Sequence, residues 1–237
     1  MFDAKKLLDQ FLGSQVPGLS GTVRDRAGQA GQLAKDNPLA TGAIVAALLG
    51  TKTGRKLAGN VATAGGLAAI AGLGYLAYKN YKSGQSPEAA PQPAPQTETP
   101  LLPPPADSPF HPQSPQLSND FALTLLRAMI AAAKADGHID ASERANIMDK
   151  VHAVDLGAEA EAFIENELAN PVDMDDLVAA ARTEEQKVEL YTATRMTIDP
   201  DTRAERGYLD LLAGRLGLAD ALIDHIDATV SAAKVKA

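Results

Sequence analysis

Apolar and polar positions follow three different patterns along the chain. Residues 2–13 carry their apolar side chains on one face at helical spacing, which predicts a short amphipathic helix. Residues 39–50 and 57–78 are uncharged and rich in Gly and Ala. From residue 118 onward, apolar residues recur at helical spacing between capping residues, with almost no strand pattern. The chain is therefore predicted to be all-α.

Residues 38–82 form a Gly/Ala-rich segment with the length of a membrane helix. The 22 uncharged residues 57–78 exceed the roughly 20 needed to cross a bilayer. Mostly small residues recur at every fourth position, a glycine-zipper spacing that favours close approach and self-association of membrane helices: Ala58, Ala62, Gly66, Ile70 and Gly74. An interfacial belt of Tyr and Lys follows: Tyr75, Tyr78, Lys79, Tyr81 and Lys82. We expect a single-pass helix. Gly, Asn and Thr dilute its hydrophobicity, so a soluble hairpin or a surface-lying segment is the alternative.

Charge divides the chain into a basic front and an acidic rear. Residues 1–82 hold ten Lys/Arg and four Asp/Glu, whereas residues 83–237 hold twelve and twenty-six. A basic, apolar front suits an anionic membrane, and an acidic rear repels nucleic acid. The flanking charges slightly favour a cytoplasmic N-terminus, but a hairpin that includes residues 39–50 would reverse this orientation. The side of the membrane that holds the C-terminal domain therefore stays open.

Proline marks a boundary between the two halves. Residues 83–117 contain eleven of the fifteen prolines, which is typical of an extended, disordered spacer, with His111 solvated inside it. Four regions are predicted. Residues 1–37 are amphipathic and of low order, 38–82 are the membrane segment, 83–117 are the linker, and 118–237 are a separate helical domain.

The C-terminal domain is predicted to hold about seven helices. Their expected ranges are 119–134, 140–153, 158–168, 174–181, 183–196, 202–216 and 220–233. Capping boxes open three of them, at Asp140, Thr183 and Thr202. Asp173 is a further N-cap, and Gly217 ends the sixth helix.

Two acidic turns in this domain are similar to each other and are candidate metal sites. The first carries Asp136, Asp140 and Glu143, and the second carries Asp199, Asp201 and Glu205. Carboxylates on turns that lead into helices can converge on a hard cation, so a divalent metal such as Ca, Mg, Mn or Zn is the candidate cofactor. The simpler interpretation is that these acids cap helices, where the helix dipole favours them.

Signatures of catalysis are missing from the sequence. The chain has no Cys, which excludes thiol nucleophiles, thiolate metal sites and disulfides. It also lacks GxSxG, P-loop and HExxH motifs. We therefore expect no enzymatic activity; a hydrolase that uses paired carboxylates is the least favoured alternative.

The two turns carry a resemblance to a known family. AAAKADGHIDASER and IDPDTRAERGYLDLLAGRLGL, placed after a Gly/Ala-rich segment and a Pro-rich linker, are similar to the YebE-like family of bacterial inner-membrane proteins, a domain of unknown function. The helical part looks like the tellurite-resistance TerB-like superfamily. The resemblance implies an all-α fold and, as in TerB itself, an acidic surface associated with divalent metal.

These observations predict a non-enzymatic, membrane-tethered adaptor or sensor linked to envelope or tellurite stress. Its expected partners are the membrane, a protein that contacts the acidic domain, and further copies through the Gly/Ala helix. A divalent-metal-binding module is the alternative.

Overall fold

The structure, a computed structural model, describes residues 66–87, 104–135, 158–171 and 173–235, together with Lys5, Leu8, Arg144, Ala145, Met148 and His152. Across this part of the chain there are seven helices and no strand. The helices are α1 Gly66–Lys82, α2 Asn119–Ala133, α3 Ala158–Ala169, α4 Met174–Ala180, α5 Glu184–Thr197, α6 Arg203–Leu216 and α7 Asp220–Val235. The predicted all-α class is confirmed.

Helix α5 is the centre of the bundle. It packs against α1, α2, α6 and α7. All of its residues from Val188 to Thr197 are buried. Helices α3 and α4 pack on the outer side, against α2, and α4 also contacts α6. The central helix is therefore the element through which the others are held together.

Short-range signals fix where the helices begin and end. The Thr183 side chain accepts a hydrogen bond from Gln186 N, and Gln186 accepts one in return, so the predicted capping box is present. Thr202 and Glu205 form the same arrangement at the start of α6. Asp173 caps α4, and Gly217 ends α6 at a φ of 66°, where a side chain would be strained. These caps agree with the sequence prediction.

Helix α1 lies inside the core that the C-terminal helices form. It packs against α5 and α7, and its buried residues include Leu67, Ile70, Leu73 and Ala77. The prediction that residues 38–82 are separate from the helical domain is therefore wrong for Gly66–Lys82. Small residues that permit close packing in lipid permit it equally against protein helices. Over the described residues, no helix combines the length and hydropathy that a membrane crossing requires.

Two further predicted helices are described only at single positions. Lys5 and Leu8, from the predicted amphipathic helix, are both helical, and Leu8 is fully buried in the core. Arg144, Ala145, Met148 and His152, from the predicted helix 140–153, are helical as well. The remainder of both segments lies outside the described residues.

Candidate functional site

The six candidate metal ligands are not assembled in the part of the chain that the structure describes. Asp136, Asp140 and Glu143 lie outside the described residues. In that part there is no group of three or more His, Cys, Asp or Glu side chains placed to hold a metal ion. The predicted convergence of the two turns stays a prediction, and the second turn is explained by other contacts.

Each acid of the second turn has a structural role or lies at the surface. Glu205 Oε2 accepts hydrogen bonds from Thr202 N at 2.8 Å and Thr202 Oγ1 at 2.9 Å, which closes the capping box. Asp199 Oδ1 lies 3.4 Å from Arg195 Nη1. Asp201 is exposed, and its backbone carbonyl accepts a bond from Arg206. The capping interpretation therefore accounts for Glu205, while Asp199 neutralises a buried guanidinium.

Arg195 is the centre of a polar network between α5 and α7. Its side chain is only 7% exposed, and its Nε lies 3.2 Å from Asp227 Oδ1. Nη1 donates to Ile198 O at 2.9 Å, and Nη2 donates to Ser231 Oγ at 3.1 Å. Burial raises the pKa of the Asp227 carboxyl, and the adjacent guanidinium opposes that rise. A buried cation with this many partners fixes α7 and the second acidic turn to the central helix.

Two buried polar groups on α5 have no hydrogen-bond partner among the described residues. They are Glu189 Oε1 and Thr192 Oγ1, on side chains that are 1% and 0% exposed. Burial, followed by repulsion from Glu185, raises the pKa of Glu189 to about 8. Glu189 is therefore largely protonated at neutral pH, and its burial opposes folding once it ionises.

Residues 105–117 form four consecutive turns, and the last three of these turns contain proline. We call the whole segment, residues 105–117, the turn ribbon. Backbone N–H groups at 108, 111, 114 and 117 each donate to the carbonyl three residues earlier, at 2.7 to 3.0 Å. Proline occupies the second position of three of these turns, which suits its fixed φ: Pro109, Pro112 and Pro115. The sequence had predicted a disordered linker here; for residues 105–117 that prediction is wrong.

Side chains complete the hydrogen bonding of the turn ribbon. Ser108 Oγ, His111 Nδ1 and Ser114 Oγ each accept from the backbone N–H two residues later, at 3.3, 3.2 and 3.1 Å. Every backbone N–H from residue 108 to residue 117 is thus bonded within the ribbon, and prolines supply the positions that have none. His111, which was expected to be solvated without a partner, is one of the acceptors that hold the ribbon.

The turn ribbon is seated on α1 and α5. Phe110 is 2% exposed and packs on Tyr75 and Tyr78, with ring centroids 6.0 and 5.5 Å apart. Its ring passes 3.6 Å from the position that a Cβ would take at Gly74, so this small residue allows the approach. Tyr78, one of the tyrosines of the predicted interfacial belt, contacts Phe110 and donates a 2.9 Å hydrogen bond to Glu184.

A second anchor joins the ribbon to the start of α5. Gln186 Nε2 donates to Gln116 O at 2.7 Å, and Thr183 Oγ1 donates to Gln116 Oε1 at 3.2 Å. The ribbon thus bridges α1 and the capping box of the central helix. This bridge is the candidate functional site, because it holds the Gly/Ala helix in addition to the packing of that helix on α5 and α7. Its sequence signal is the period of three in SPFHPQSPQ, which the high proline content obscured.

Lys134 is a further residue whose role the sequence did not reveal. It lies in the AAAKADG motif, and its ammonium donates to the carbonyls of Glu167, Leu168 and Asn170 at the end of α3, at 3.3, 3.3 and 2.6 Å. Burial, followed by repulsion from Arg144, lowers the pKa of Lys134. A lysine that caps a helix C-terminus is a structural reason for part of this motif.

Comparison with known proteins gives a family but no activity. A family model described as "Protein of unknown function (DUF533)" matches residues 34–230. An "Uncharacterized protein in ampR 5'region" of Yersinia enterocolitica is 30% identical over 103 residues, which are 44% of this chain and 74% of that protein. No solved structure matches. The matched range includes α1, the turn ribbon and most of α7, so one family unit covers all three.

Proposed function

Because the chain belongs to the DUF533 family of proteins of unknown function, we propose its role from its chemistry: a non-enzymatic adaptor or sensor at the bacterial inner membrane. In this proposal a basic, apolar N-terminal part contacts lipid. The helical domain, which we take to be TerB-like, presents an acidic surface to a protein partner.

The division of charge is the observation that carries the proposal. The front of the chain, residues 1–82, has a net charge of +6, and the remainder has −14. Each Lys or Arg near an anionic bilayer contributes about 1 kcal/mol of attraction. Residues 39–50 are apolar and uncharged and are followed closely by Lys52, Arg55 and Lys56. Since α1 is packed in the bundle, lipid contact is assigned first to residues 38–65.

The acidic surface supports the adaptor half of the proposal. Helices α3 and α4 present exposed carboxylates, among them Glu165, Asp173 and Asp176. Such a surface attracts a partner with a basic face and accelerates its association at low salt. The TerB-like resemblance adds a link to envelope or tellurite stress, which growth of a deletion strain on tellurite tests directly.

Flotation of the full chain with vesicles tests the membrane assignment. We expect binding to vesicles of phosphatidylethanolamine and phosphatidylglycerol, and little binding to phosphatidylcholine. Changing Lys52, Arg55 and Lys56 together to Gln should weaken binding by about a hundredfold, at about 1 kcal/mol for each charge.

A matched variant separates local attraction from net charge. Arg182, Lys187 and Arg203 lie in the helical domain, and their joint change to Gln removes the same amount of charge. We expect this variant to float as the unchanged chain does. Absence of flotation by the unchanged chain, or equal losses in the two triple variants, contradicts the proposal.

A further inference from the structure

Helix α1 is suited to two environments. Its packed face is made of Ala, Gly, Leu and Ile residues, and residues 57–78 carry no charge. A helix that is apolar over most of its surface is stable either in a protein core or in lipid. Leu76 is already 44% exposed on its outer side. What holds α1 in the bundle therefore determines which environment it occupies.

The polar contacts at the C-terminal end of α1 are weak restraints. Lys82 Nζ lies 3.5 Å from Glu184 Oε2, on side chains that are about half exposed, and the hydroxyl of Tyr78 donates to the same oxygen at 2.9 Å, also at the surface. Exposed pairs of this kind contribute little because water screens them. Phe110, in contrast, is almost fully buried against Tyr75, Tyr78 and Gly74. Its ring is thus the main side chain of the turn ribbon that clamps this half of the helix.

The turn ribbon is built to detach as a unit. The backbone N–H groups of residues 108–117 all donate within the ribbon, so undocking breaks none of these bonds. The bonds lost are those of Gln116 to Thr183 and Gln186, and the buried side chains of the ribbon are Phe110 and Leu117, at 2% and 1% exposed. A preformed segment with two anchors is released and re-docked at a lower entropic cost than a flexible linker.

We propose that the turn ribbon is a latch: docked, it keeps α1 in the bundle, and undocked, it frees α1 and the uncharged residues before it to enter a lipid surface. The latch depends on the proposed function in one respect only, namely that the freed helix α1 enters a membrane. In the docked state Phe110 of the ribbon packs on Gly74, Tyr75 and Tyr78 of α1.

Thiol labelling measures latch opening without any membrane. The chain has no Cys, so a single introduced thiol reports only its own site. Ala77→Cys places a fully buried reporter on α1, and Ala193→Cys places an equally buried one on α5. With Phe110→Ala we expect labelling at position 77 to accelerate at least about tenfold, while labelling at position 193 changes little.

Graded and matched variants keep the labelling test decisive. Phe110→Leu retains part of the buried area and should give an intermediate rate, and it serves if Phe110→Ala does not fold. Gln113→Ala, at an exposed position of the same ribbon, should leave the rate unchanged. An unchanged rate at position 77, or equal acceleration at positions 77 and 193, overturns the latch.

Vesicle flotation of the same full-length variants tests the destination of α1. Phe110→Ala should bind phosphatidylglycerol-containing vesicles at least about tenfold more tightly than the unchanged chain, and Gln113→Ala should not. If Phe110→Ala accelerates labelling at position 77 without tighter binding, lipid as the destination is overturned. The labelling arm needs no lipid, so failure of the latch is distinguishable from failure of the membrane assignment.

Discussion

Replacing Glu189 by Gln should make the protein more stable at alkaline pH. Glu189 is 1% exposed, and its Oε1 has no hydrogen-bond partner among the described residues. Burial raises its pKa from 4.5 to about 8 in the folded chain, whereas the unfolded chain keeps the lower value. Gln has the same shape and cannot ionise, so it resembles the protonated acid at every pH.

The magnitude follows from proton linkage. Below pH 4.5 both states carry the proton, and the Glu189 carboxyl causes no pH dependence. Between pH 4.5 and about 8 the folded chain keeps a proton that the unfolded chain releases. Each pH unit in this window therefore lowers the free energy of unfolding by about 1 kcal/mol. The advantage of Glu189→Gln should grow by about 3 kcal/mol between pH 5.5 and pH 8.5.

Chemical denaturation, followed by circular dichroism at several pH values, measures this difference. All other ionisable groups are shared by the two proteins, so subtracting the two profiles isolates Glu189. Glu185→Gln is the control: Glu185 is a half-buried neighbour whose charge contributes to the raised pKa, and its removal should leave most of the slope in place. Parallel profiles for the wild type and Glu189→Gln would refute the assigned protonation.

Four further substitutions, at three positions, test other contacts by the same unfolding measurement. Gly74→Ala should be neutral or add up to about 1 kcal/mol, since its Cβ would lie 3.5 Å from its nearest neighbours, whereas Gly74→Leu should cost about 1–3 kcal/mol by displacing Phe110. Thr202→Ala should cost about 1 kcal/mol through loss of the capping box, and a cost within experimental error would argue against the capping role. Arg195→Met should cost about 1–3 kcal/mol, because the hydrogen bonds of the guanidinium are lost while the remaining Asp227 carboxylate, 39% exposed, can be hydrated; an effect below about 0.5 kcal/mol would mean that the network is not formed.

Helix boundaries in the C-terminal part could be predicted because their causes are local. Thr183 with Gln186 and Thr202 with Glu205 are separated by three residues, and their hydrogen bonds form within one turn. The same locality explains why capping was the better interpretation of Glu205. Gly217 needs only its own positive φ to end α6.

The position of α1 could not be predicted because two environments select the same composition. A run of Ala, Gly and Leu satisfies both lipid and a tightly packed core, and nothing within residues 57–78 tells them apart. The informative residue is distant: Phe110 needs an apolar seat, and Gly74, Tyr75 and Tyr78 supply it. The Arg195–Asp227 pair likewise joins residues of two helices whose pairing no local pattern encodes.

The burial of α1 beside α5 and α7 changes where recombinant fragments of this protein should begin. A fragment trimmed at the proline-rich segment, starting at Ser118, would lack α1 and Phe110 and would leave uncovered the surfaces of α5 and α7 that α1 occupies. Val188, which faces Gly74, would then meet solvent. Such exposed apolar surface promotes aggregation. Fragments that begin at or before Gly66 should therefore aggregate less than shorter ones, although they are the more hydrophobic.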